Sequence, residues 1–224
     1  HELYVYLCEN YLNEVDKNLK KLPNIKFIPK PNYLTNILLR IIWMQFILPF
    51  ELKLKKINIL YSPMNISPII CKILNIKNIL VLHSNLPWKF FNLMPGNYFR
   101  NIITKKLMEL SIYQSDILIV DSYFAKDEIK SILKLNSKLI YAIYLGINDK
   151  YLGKFKSLDY LTNFDYKDDY ILSVISCVRY HNIINMLKAY KSLISDMKLP
   201  LKMCLIMQIL DEEYYKEIKN FIEN

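Results

Sequence analysis

The stretch SIYQSDILIVDSYFAKDEI, residues 111–129, decides how this sequence folds. Its centre, DILIV (116–120), is continuously apolar rather than alternating, the pattern of a parallel strand covered on both faces. A helix leads into it, and Asp-Ser leads out into a second helix whose Ala125, Ile129, Ile132 and Leu133 form an apolar stripe. Repeated, such strand and helix units make a doubly wound α/β sheet.

The same unit recurs in both directions. LYVYL (3–7), IKFI (25–28), INILY (57–61), NILVL (78–82), KLIYAI (138–143), YILSVI (170–175) and LKMCLIM (201–207) are further strands. Between them lie helical stripes. Phe99, Ile102, Ile103, Leu107 and Leu110 form one, and Ile184, Leu187, Ile194 and Met197 another. Asp211, Glu212 and Glu213 read as the N-cap and first turn of the last helix. Residues 151–169 are polar and dotted with aromatics, without a period, and read as a linker. This gives a first domain over 1–150 and the opening of a second over 170–224. The sequence has no initiator Met and opens on an apolar run, so it reads as a fragment that begins inside a domain and breaks off in another.

Composition narrows the class. With 53% hydrophobic and 23% charged residues, the chain can build a packed core. The net charge of +9 favours phosphate-bearing ligands or an anionic membrane face. Nucleic acid is excluded as a partner, because the Lys and Arg residues are scattered and no basic run alternates with aromatics. Cys8, Cys71, Cys177 and Cys204 have neither zinc spacing nor a disulfide framework; buried, reduced thiols in a cytoplasmic protein are expected. The longest apolar patch, NILLRIIWMQFILPF (36–50), contains Arg40 and Gln45 and is cut by Pro49, so it does not span a bilayer.

Four local patterns carry chemistry: RIIWMQFILPFELKLKKINILYSPMNISP (40–68), ILVLHSNLPW (79–88), the opening stretch, and KLIYAIYLGINDKYL (138–152) followed by YILSVISCVRYHNIINMLKAYKSL from 170. In this order and at these intervals the set resembles the group 1, family 4 retaining glycosyltransferases of the GT-B fold. The resemblance covers about residues 38–224. It implies two Rossmann-like domains, the acceptor bound mainly to the first and a nucleotide-diphospho-sugar donor to the second. It implies transfer to a glycan or lipid-linked acceptor with retention of configuration, as in polysaccharide biosynthesis. No metal or other cofactor is implied, since cationic side chains and a helix N-terminus hold the diphosphate.

The resemblance assigns residues as follows. His83 matches the histidine that follows a central strand and faces the donor sugar, where an imidazole can hydrogen-bond a hydroxyl. Asn65 is either an acceptor ligand or a turn residue between Pro63 and Pro68. Ser122 either lines the acceptor side or caps its helix. Gly146 is expected to meet a backbone need near the interdomain hinge, on the donor side. The phosphate site departs from the family, with Ser176 in place of an Arg and His181 in place of a Lys. Arg179 and His181 are the substitute phosphate ligands, and Asn182 caps a helix that presents its amides. A glutamate pair that supports the donor would lie beyond residue 224, so the fragment alone is expected to be inactive. Trp88, Phe90, Phe91 and Phe99, set among Lys89, Arg100, Lys105 and Lys106, offer a peripheral membrane contact or else pack over their own domain.

Overall fold

Every apolar run named above is a strand in the computed structural model, which describes residues 2–147, 170–197 and 201–223. The strands are β1 (Leu3–Cys8), β2 (Ile25–Lys30), β3 (Ile59–Ser62), β4 (Lys77–Leu82), β5 (Ile117–Val120), β6 (Leu139–Ala142), β7 (Tyr170–Cys177) and β8 (Lys202–Ile209). The helices are α1 (Lys17–Lys20), α2 (Ile37–Phe46), α3 (Leu48–Leu54), α4 (Leu86–Lys89), α5 (Tyr98–Gln114), α6 (Tyr123–Ile132), α7 (Ile183–Met197) and α8 (Glu212–Glu223). The linker expected at 151–169 lies outside the described residues, as do Asn148 and Asp149.

All pairings are parallel: β1 with β2, β3-β4-β5-β6 in one four-stranded sheet, and β7 with β8. The chain is therefore an α/β protein with a Rossmann-like parallel sheet. It divides into two compact units, one of His1–His83, Leu107–Val120 and Leu135–Ala142, the other of Ser84–Lys106, Asp121–Lys134 and Ile143–Asn224.

In the first unit Leu80, Leu118, Val120 and Ile112 are fully buried, as continuously apolar central strands require. A second cluster, Leu48, Leu52, Cys71 and Ile76, is joined by Trp43, Leu60 and Tyr6. Lys30 fastens it from the side: its ammonium takes both oxygens of Glu51, at 2.8 and 2.7 Å, and stands over the rings of Tyr6 and Trp43 at 5.1 and 5.3 Å. Burial pushes the Tyr6 phenol up to about 12. Cys71 and Cys177 are buried free thiols as expected, with Cys71 raised to about 11 by desolvation, while Cys8 and Cys204 are half-buried.

The connection from β3 to β4 is a loop that enters the core. Ser67 is fully buried, and its backbone has no strand partner. Three elements supply partners instead. Gln45 of α2 donates to the Ser67 carbonyl (2.9 Å) and accepts from the Ile69 amide (3.0 Å). Ser111 of α5 accepts from the Ser67 amide (3.1 Å), and Asn78 of β4 donates to the Ser67 hydroxyl (2.7 Å). The single Ser111 hydroxyl proton faces both the Leu107 carbonyl (2.7 Å) and the Ser67 carbonyl (3.0 Å), so it cannot fully serve both.

This network bears on the stripe expected on α5, which holds only in part: Leu107 and Leu110 are half-buried, but Phe99, Ile102 and Ile103 are exposed, and the buried positions are Asn101, Met108, Ser111 and Ile112, with Ser115 just beyond the helix. Ser111 and Ser115 tolerate burial because their hydroxyls bond carbonyls one turn back, Leu107 and Ile112. Hydropathy spacing does not register that.

In the second unit α7 and α8 cover one face of the β7–β8 pair, burying Cys177, Ile183, Leu187, Tyr214 and Ile218. Among the described residues these two strands are covered on one face, not on both as their apolar sequences suggested. Both helices pack where Ile175, Met203, Leu205 and Met207 point, and Leu172, Val174 and Ile206 face outward. Asp211 is the N-cap of α8, accepting from the Tyr214 amide at 2.9 Å.

Gln45→Leu conserves volume but strands the half-buried Ile69 amide and takes a donor from the buried Ser67 carbonyl. The expected loss is about 1–3 kcal/mol per stranded group, read as a lower urea midpoint with an unchanged slope.

Candidate functional site

The loop held by this network begins where β3 ends, at Ser62, and passes the carboxyl end of β4. Asn65 adopts φ +45°, the left-handed region that Asn enters more readily than other side chains. In that conformation its amide donates to the Val81 carbonyl (2.9 Å) and its side-chain oxygen accepts from the His83 amide (2.8 Å). The His83 ring closes the circuit, with Nε2 2.8 Å from the Pro63 carbonyl. A carbonyl only accepts, so Nε2 carries the proton and Nδ1 is the basic nitrogen of the neutral ring. The structure thus brings Asn65 and His83 into direct contact at the carboxyl ends of neighbouring parallel strands, where open α/β sheets bind ligands. The imidazole is exposed at this end of the sheet.

Ser122 and Gly146 turn out differently. Of the two readings of Ser122, the structure shows the cap: its hydroxyl accepts from the Ala125 amide at 3.1 Å and starts α6. Gly146 lacks the left-handed backbone that such a need would show: its φ lies outside that region, and among the described residues a Cβ there would meet nothing within 4 Å. That need falls instead on Gly96, at φ +95° in the loop before α5, where a side chain would collide with the Arg100 guanidinium.

The region read as a phosphate site is assembled but internally satisfied. β7 runs out at Cys177, and a single 3-10 turn, Arg179–His181, leads to α7. The Arg179 guanidinium forks onto Glu217 of α8, at 3.1 and 2.5 Å, with its Nε 3.6 Å from the Asp211 carboxylate and its plane over the Tyr214 ring. The hydrogen bond from Arg179 holds the Glu217 carboxyl below the ordinary carboxylate value and raises the guanidinium in turn. His181 Nδ1 lies 2.7 Å from the Ser176 carbonyl, so Nδ1 carries the proton. The neutral ring then has no donor left for a phosphate, and only the imidazolium can supply one, from Nε2.

Asn182 occupies the N-cap position of α7, its carbonyl accepting from the Met186 amide, but its side chain does not cap the backbone: the residue is left-handed (φ 56°, ψ 40°), and its side-chain oxygen accepts from the Asn185 side-chain amide at 3.0 Å. The Ile184 amide at the helix start is taken by the Tyr214 hydroxyl (3.2 Å). The expected set Arg179, His181 and Asn182 is therefore contiguous, with its donors engaged by α8 and by the end of β7.

The aromatic stretch from Trp88 to Phe99 largely pairs within itself. Lys89 is bonded to Glu128 and sits 5.6 Å from the Phe124 ring, Lys105 lies over Phe91, and Phe91 meets Tyr98 edge-on at 5.3 Å. Among the described residues no three His, Cys, Asp or Glu side chains cluster as metal ligands.

The sequence reading passed over Gln45, Ser67, Asn78 and Ser111, which hold the loop under Asn65. Their only signal is that Gln45 and Asn78 are solitary polar residues in apolar runs. No protein-family model matches the sequence, and no curated protein matches it either.

Two outcomes follow from this geometry. Asn65→Gly and Asn65→Ala both remove the acceptor for the His83 amide, but only Ala adds a left-handed strain of about 1–2 kcal/mol. Asn65→Gly is therefore expected to be the more stable of the two by about that amount, measured by chemical denaturation. Because the folded Glu217 pKa is depressed, its contribution is present above the unfolded carboxylate value and lost as pH falls through the folded one. Glu217→Gln should flatten the acid limb of a plot of stability against pH.

Proposed function

We propose that the protein is a retaining glycosyltransferase of GT-B type. It takes a sugar from a nucleotide-diphospho-sugar and passes it to a glycan or lipid-linked acceptor in polysaccharide or glycoconjugate assembly, in the cytoplasm and against a membrane surface. The observation that carries this reading is the Asn65–His83 pair at the carboxyl ends of β3 and β4. It stands where the ordered sequence motifs place the cleft histidine. His83 orients the donor sugar, its ring held in place by the contact of Nε2 with the Pro63 carbonyl. Asn65 holds the peptide that carries that ring. The diphosphate is taken by Arg179 and His181, which requires Arg179 to exchange Glu217 for phosphate oxygens and His181 to be protonated.

One observation favours a second reading, a non-catalytic GT-B-like binding or assembly module. The cation at the diphosphate position is already paired to two carboxylates, and the adjoining helix amide is capped by Tyr214.

The two readings separate on one panel. The protein from its complete reading frame is offered UDP-, GDP- and ADP-sugars, and transfer, hydrolysis and binding are measured. The transferase reading expects transfer that falls at least about tenfold in His83→Ala, the loss of one strong hydrogen bond in the transition state. It also expects nucleotide binding that tightens on acidification in the native protein and not in His181→Gln. Absence of binding, hydrolysis and transfer with every donor removes the transferase and leaves the module.

A further inference from the structure

The chain that leaves His83 has little to hold it locally. Two residues on, α4 begins, a single helical turn, and forming one turn costs more backbone freedom than its few hydrogen bonds return. One carboxylate from another helix fastens it. Glu128 of α6 accepts from the Asn85 side-chain amide, at the residue before the turn, through one oxygen and from the Lys89 ammonium, at its last residue, through the other. Phe124, one turn back on α6, places its ring 5.6 Å from the same ammonium. Ser84 adds a local bond, its hydroxyl accepting from the Leu86 amide at 3.2 Å.

An ion pair between two long exposed side chains contributes little. This one is built differently. The Glu128 side chain is 15% exposed, both of its oxygens are engaged, and its two donors stand at opposite ends of one turn. A single acid therefore sets the position of the whole turn through charge-assisted bonds. His83 is held from both directions along the chain: its amide is bonded to Asn65, and on its carboxyl side only Ser84 separates it from the segment bound to Glu128.

We infer that Glu128 is a positioning residue for His83: by clasping Asn85 and Lys89 it limits where the imidazole can point, as Asn65 does from the other side. The inference rests on the transferase reading, in which His83 orients the donor sugar. A displacement of about 1 Å at an orienting group is enough to lower a rate by up to about a hundredfold.

Transfer by the protein from its complete reading frame, with the nucleotide-sugar it uses, tests the role. Glu128→Ala is expected to lower kcat at least about tenfold, with the dissociation constant of the free nucleoside diphosphate unchanged. Glu128→Gln keeps one acceptor and should recover part of the loss. In a His83→Ala background Glu128→Ala should lower kcat no further, because the group it positions is already gone. Asn85→Ala and Lys89→Met each cut one arm of the clasp and should each lower kcat by less than Glu128→Ala does; they carry the test if Glu128→Ala perturbs folding. The inference is overturned if the folded variants turn over as the native protein does, or if they lose the same factor with and without His83, which marks a structural role alone. A native protein that transfers from no donor removes the transferase reading and this inference with it, whereas an active native protein indifferent to Glu128→Ala removes this inference alone.

Discussion

The buried peptide of Ser67 is the constraint on which the first unit depends. A loop that leaves a strand and enters the core carries amides and carbonyls that the sheet no longer pairs, and each left unpaired costs about 1–3 kcal/mol. The chain meets this with Gln45, Ser111 and Asn78, drawn from two helices and the neighbouring strand. Once Ser67 is fixed, the preceding residues have little freedom. Asn65 enters the left-handed region, turns its amide to Val81 and its side chain to the His83 amide, and the His83 ring locks onto Pro63. The orientation of the one exposed imidazole at this end of the sheet is thus inherited from hydrogen bonds in the core.

The second unit solves a different problem. Arg179 stands beside a helix start where a phosphate would be welcome, but the structure surrounds it with Glu217, Asp211 and the Tyr214 ring. Tyr214 acts twice, with its ring under the guanidinium and its hydroxyl on the Ile184 amide. A diphosphate must therefore outbid a bidentate carboxylate before it gains anything, and the net preference is the difference between two charge-assisted pairs. His181 adds a protonation requirement, because its Nδ1 proton is spent on Ser176. The two histidines are alike in having one nitrogen anchored to a carbonyl. On His181 the lone pair that remains repels a phosphate until it is protonated.

The strands were legible because parallel strands in a covered sheet are unbroken apolar runs, and DILIV or NILVL admits few other readings. The caps Asp211 and Ser122 were legible because capping is local chemistry. What escaped was decided by partners distant in sequence. Asn182 has the right residue type for a cap, yet its left-handed backbone sends the side chain to Asn185, and Gly146 was credited with a need that its conformation does not have. On α5, Ser111 looks like a solvent residue until its bond to Ser67, forty-four positions away, is known. Asn65 and His83 were each named from motif order, and their direct bond could be seen only in three dimensions.

The outward apolar residues of α2 and α5 share a cause. Both helices send a polar side chain inward to satisfy the loop, and that sets their rotation. With Gln45 committed to Ser67 and Ile69, Phe46 follows about 100° round the helix and leaves the core, with Ile42 beside it. On α5 the inward Ser111 lies nine residues from Ile102, about 180° round the helix, so Ile102 faces outward. The hydrogen bonds that hold the loop beneath His83 are thus the same ones that turn an apolar ridge of α2 toward the solvent. Any reorganisation that freed Gln45 would both loosen the His83 loop and release the helix to bury that ridge.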